Sequence, residues 1–242
     1  MRIKQMTNYM LKNNLRIVAL YLGVVAVLLF VLVAAVVLGA APATTLDGGV
    51  TSTIFLFVLG IVSFFQFLKV GFSCSISRRT VFLSLIVSGL VLAGIIGLLD
   101  LILTWVVPQL LFEYAEPFAS YRSFFVAPNA ALMVVGSVGY HLAQVLVALI
   151  FGYFVGGLYY RMNRGLRIAV SVGVPVALFV VPSVTFSHLT SPALRELLMR
   201  LNNFVINLMQ APFHHMLFAL IATAVFTLFL WLLMRRAPVK EN

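Results

Sequence analysis

The sequence predicts an all-α polytopic membrane protein with six transmembrane helices and both termini in the cytoplasm. Three observations predict it. Charged residues make up 9% of the 242-residue chain and hydrophobic residues 63%. A water-soluble domain typically carries about 25% charge, so part of this chain's surface must face lipid. The apolar residues fall into six long runs, continuous rather than alternating, which favours helices over a β-barrel. The basic residues, finally, gather in every second gap between those runs.

Residues 1–16, "MRIKQMTNYMLKNNLR", read as an N-terminal amphipathic interfacial helix. Ile3, Met6 and Met10 recur at helical spacing with Tyr9 beside them, while Lys4, Asn8, Lys12 and the asparagines take the other positions. Such a helix suits the anionic inner leaflet. The first span, residues 17–38, has no charge. Its basic start and the following "GAAPA" superficially resemble a signal peptide. The run exceeds the usual apolar region of about 7–15 residues, however, so the segment is expected to be retained.

The second span covers residues 51–68 and the third residues 80–107. The fourth, residues 129–160, is longer than the roughly 20 residues a crossing needs, so it is expected to tilt or project. Within it Gly152 and Gly156 form a GxxxG pattern that permits close helix approach. Pro175 and Pro182 are expected to bend the fifth span, residues 166–186, because each lacks a backbone donor. The sixth covers residues 213–234, and 235–242 form a basic tail. Before the sixth span, Ser191 and Pro192 suit the start of an amphipathic outer helix. Leu194, Leu197, Leu201 and Leu208 lie on its apolar stripe, and Glu196 can pair with Arg200 at i,i+4.

Thirteen of the 16 lysines and arginines lie before the first span, between spans two and three, between four and five, or after six. The positive-inside bias puts those segments in the cytoplasm. Asp47, Glu113, Glu116 and Glu196 fall on the other side. Topology thus accounts for the net charge of +10, and a nucleic-acid partner is not expected.

Chemistry-bearing motifs are scarce. No G-x-x-x-x-G-K-[ST], HExxH, CxxC or G-x-S-x-G pattern occurs, and Cys74 is the one cysteine. Neither a disulfide, a catalytic site nor a metal site in this chain is therefore expected. Ionisable groups inside a membrane are functional candidates. Asp100, about 30 Å along a helix from Thr80, is expected at the outer interface. His141 and Gln144 share a face at i,i+3 and are candidates for translocation or helix-packing contacts. His141 has no in-span acid or thiol at an expected matching depth, which argues against an intramembrane enzyme. Adjacent His214 and His215 point in different directions and make a poor metal site.

The stretch "KVGFSCSISRRT", Lys69 to Thr80, is different: a Gly/Ser-rich turn with two adjacent arginines at the mouth of the third span. "SISRRTVFLS" (Ser75–Ser84) resembles a "G-[VI]-S-R-[KR]-T-x-F" turn, departing from it at Ser75, where glycine is common. "WLLMRRAPVK" (Trp231–Lys240) resembles the matching C-terminal ending. With the six-span layout, these stretches resemble permease subunits of type-2 ABC exporters, of the small Gram-positive type. The resemblance implies that Gly71, Ser75, Ser77, Arg78, Arg79 and Thr80 form the segment that couples the permease to a separate ABC ATPase. It also implies a second permease subunit, alike or unlike, and ATP and magnesium bound by the ATPase. A topological anchor explains the two arginines without any partner. A different class, an immunity or sensor subunit binding a hydrophobic partner, fits the same composition.

Overall fold

The computed structural model describes residues 3–37, 48–111, 130–163, 165–173, 196, 200, 203 and 212–235. Five long helices form the body: α1 (Ile3–Val37), α2 (Gly48–Ser73), α3 (Arg78–Leu111), α4 (Ala130–Arg161) and α5 (Pro212–Arg235). Residues 165–173 are helical as well, and no strand occurs among the described residues. Each of the five long helices contains a stretch long and apolar enough to cross a membrane. Leucine, isoleucine, valine and phenylalanine cover their outer faces, as a lipid-solvated helix requires. Most of the fifth expected span, Pro175, Pro182 and the body of the outer amphipathic helix lie outside the described residues. The expected Glu196–Arg200 pair is present at 2.7 Å and exposed.

α4 is the hub, flanked by α2, α3 and α5, while α1 packs mainly on α3. Glycine sets the closest approach. A Cβ added to Gly152 would lie 2.3 Å from the Phe57 carbonyl oxygen and 3.1 Å from the Gly60 Cα. Gly156, one turn on, rests on Phe64 and the Ile61 carbonyl in the same way. The GxxxG pattern of α4 thus packs backbone against backbone on α2.

The contacts define helix directions. Ser84 Oγ donates to the Ile3 carbonyl at 3.2 Å, and Ser88 Oγ approaches Met10 Sδ at 3.8 Å, so α1 and α3 run parallel. α2 runs parallel to α4, since Phe57 and Gly60 meet Gly152 and Phe64 meets Gly156. α4 runs parallel to α5, with Gly139 against Met216 and Gly157 against Leu230 and Leu233. α3 opposes α4: Gly89 faces Tyr153, and Gly97 faces Leu142 and Val145. One end of the bundle therefore collects the start of α1, the α2–α3 turn and the ends of α4 and α5. It carries Lys4, Lys69, Arg78, Arg79, Arg161, Arg167 and Arg235.

The N-terminal segment departs from expectation. Residues 3–16 and the first span are one uninterrupted helix. Met6, Met10 and Asn14 are fully buried in the bundle, so the methionine stripe faces protein instead of lipid. The reason is spacing: positions 6, 10, 14 and 18 repeat at i,i+4 and form one continuous face along α1. Asn14 Oδ1 accepts from Ser63 Oγ at 3.0 Å, Asn13 Nδ2 donates to Gln66 Oε1 at 3.1 Å, and Tyr21 and Ser52 share a hydroxyl bond at 3.2 Å. A polar seam thus joins α1 to α2 where sequence patterning placed the asparagines toward water.

Candidate functional site

The α2–α3 turn is built from two helix caps that meet. At the end of α2, the Ile76 amide donates to the Gly71 carbonyl at 2.9 Å and the Ser75 amide to the Phe72 carbonyl at 3.1 Å. This pair of bonds is the Schellman motif, which needs a left-handed residue at the position of Ser75. Ser75 has φ 52. That conformation is the physical reason a glycine would suit the position.

Ser77 then caps α3. Its Oγ accepts from the Thr80 amide at 3.2 Å, and the two hydroxyls lie 2.8 Å apart. The first intrahelical bond runs from the Val81 amide to the Ser77 carbonyl at 3.1 Å. Ser77 and Thr80 therefore fix the start of α3, one of the four orphan amides of a helix start being satisfied by the cap. Ile76, between the two caps, is half-buried against the core beside buried Val81. Gly71 is a packing position: a Cβ there would come within 2.6 Å of Val81 Cγ2.

The two arginines separate. Arg78 Nη1 donates to the main-chain carbonyl of Arg235 at 2.7 Å, and its guanidinium lies 5.9 Å from the centroid of the Phe72 ring. It closes the C-terminal end of α5, where unpaired carbonyls and the helix dipole favour a cation. Arg79 is exposed and makes no polar contact among the described residues. Cys74 in the turn and Lys69 near the end of α2 are exposed as well.

The next turn at this end repeats the arrangement. Asn163 Oδ1 accepts from the Leu166 amide at 3.0 Å and caps the helical residues 165–173. Arg167 Nε donates to the carbonyls of Tyr159 at 2.8 Å and Met162 at 3.2 Å, closing α4. Sequence reading missed both arginine caps. Its usable signal was a basic residue a few positions beyond a helix end, but for Arg78 the capped helix is 157 residues away.

The remaining candidates lie apart from the turn. His141 is buried on α4 with its ring 5.8 Å from that of Tyr140, and Gln144 is half-buried one turn on. Asp100 is on α3, three residues beyond Gly97. Because Gly89 meets Tyr153 and Gly97 meets Leu142 and Val145, the backbone of Asp100 falls level with His141. An acidic residue therefore does share the depth of His141, contrary to the sequence reading. Among the described residues no group of three or more His, Cys, Asp or Glu is placed to hold a metal.

No family model matches the chain, and neither a curated protein nor a solved structure matches it.

Proposed function

We propose that the chain is the membrane-spanning permease subunit of an ABC exporter. It moves an amphipathic, lipid-like or peptide substrate with ATP hydrolysed, with magnesium, by a separate ATPase subunit. The observation that carries this reading is the form of the α2–α3 turn. It is capped on both sides and bonded to the end of α5, and it leaves Arg79, Cys74, Ser75 and Ser77 exposed. A docking surface needs that combination of fixed backbone and free cation. A mere topological anchor needs only the charge.

The six-span layout with both ends in the cytoplasm belongs to the same proposal. Its support is parity. α4 and α5 run parallel, so the chain joining them must return along the length of the bundle. In lipid that return takes a helix, and the apolar run at 166–186 has the length for it. The permease would work as a dimer, alike or unlike, embedded in the plasma membrane.

The test is purification of the chain from its native membrane in mild detergent. An ABC ATPase without membrane spans should accompany it, and its hydrolysis should rise with the transported substrate. Arg79→Gln should release the ATPase while the bundle stays folded. A folded chain that carries no ATPase would favour the immunity or sensor role.

A further inference from the structure

The adjacent arginines have different surroundings, and the difference assigns them different work. Arg78 reaches across the bundle to a main-chain carbonyl of α5, while Arg79 points out. Elsewhere α3 and α5 touch little. A further link lies one turn up, where the Phe82 and Trp231 rings lie 5.0 Å apart. The acceptor of Arg78 is the last residue of α5, so the bond spans the distance between two elements far apart in sequence. Arg167 closes the end of α4 locally, from the helical residues that follow it, and α4 and α5 are packed side by side.

We propose that Arg78 is a tie that carries displacement of the α2–α3 turn to the end of α5, and that Arg79 is the one of the two arginines that faces the partner. The tie is a charge-assisted bond to a helix C-terminus, which is stronger than a neutral bond. Phe72 beneath the guanidinium limits its swing. A turn held rigid by two caps moves as a unit, and the tie makes α5 part of that unit. The assignment of Arg79 rests on the ATPase-docking reading above; the tie does not.

The tie is tested on the full chain with two spin labels. One goes on Cys74, the native exposed cysteine at the turn. The other goes on Arg235→Cys, which keeps the acceptor because the acceptor is main chain. The parent should give one narrow distance distribution. Arg78→Gln should reduce the tied population roughly 3–10-fold, as loss of a partly exposed charged bond implies. Arg78→Lys, which keeps the positive charge that glutamine lacks, should recover part of it. Arg79→Gln should match the parent.

A distribution left narrow by Arg78→Gln overturns the tie, as does equal broadening by Arg79→Gln. In the ATPase complex, Arg78→Gln should keep the ATPase bound but lose stimulated hydrolysis. Full ATPase retention by Arg79→Gln overturns the docking assignment, while the distance measurement still decides the tie.

Discussion

Replacing Gly152 by alanine adds one methyl group at the tightest point of the bundle. That Cβ would sit 2.3 Å from the Phe57 carbonyl oxygen, with Phe57 C and Gly60 Cα each at 3.1 Å. All three neighbours are backbone, so no side chain can rotate away. Ordinary contact begins near 3.4 Å, so α2 and α4 must part by about 1 Å. A gap of about 0.5–1 Å forfeits a quarter to a half of the dispersion attraction across an interface. Overpacking of this kind costs about 1–3 kcal/mol. For a chain of this length, that lowers the melting temperature by roughly 2–12 °C. The control is Gly94→Ala, where nothing lies within 4 Å. There the helix preference for alanine should raise stability by about 0.5–1 kcal/mol. Thermal unfolding in detergent, followed by loss of the monodisperse species, compares the two. Equal melting temperatures for Gly152→Ala and the parent would refute the close-packing argument.

Three further outcomes are expected. Asn14→Ala leaves Ser63 Oγ without its acceptor, and a double-mutant cycle with Ser63→Ala should return a coupling of about 0.6–2 kcal/mol; a value of zero removes the seam as a stabilising element. At Ser75, with φ 52, glycine should be tolerated or stabilising, whereas valine should cost about 1–2 kcal/mol, read again as a shift in melting temperature. Exposed Cys74 should react in intact cells only after permeabilisation to a membrane-impermeant maleimide. Labelling of intact cells would reverse the orientation drawn from the basic residues.

Much of the architecture was legible because long apolar runs have few structural options in lipid. The five long helices among the described residues therefore overlap five of the six runs that composition marked. The α3 start is visible in Ser77 once the capping preference is known. Pro212 opens α5, the position proline favours. What patterning could not supply is lateral information. An asparagine on an amphipathic stretch looks solvent-facing until a serine from another helix meets it, as Ser63 meets Asn14. The depth match of Asp100 and His141 depends on the register of α3 against α4, which small residues such as Gly89 and Gly97 set by contact. The turn shows the same limit. "SISRRT" reads as one basic cluster, yet its first arginine is committed to α5 and its second is not.

The seam between α1 and α2 has a consequence for biosynthesis. Asn13 and Asn14 are made before Ser63 and Gln66, so the growing chain presents two amides with no partner until α2 follows. The burial of Asn14 becomes favourable only once both helices are present together. α1 and α2 should therefore leave the insertion machinery as a hairpin, with α1 waiting at its edge for the second helix.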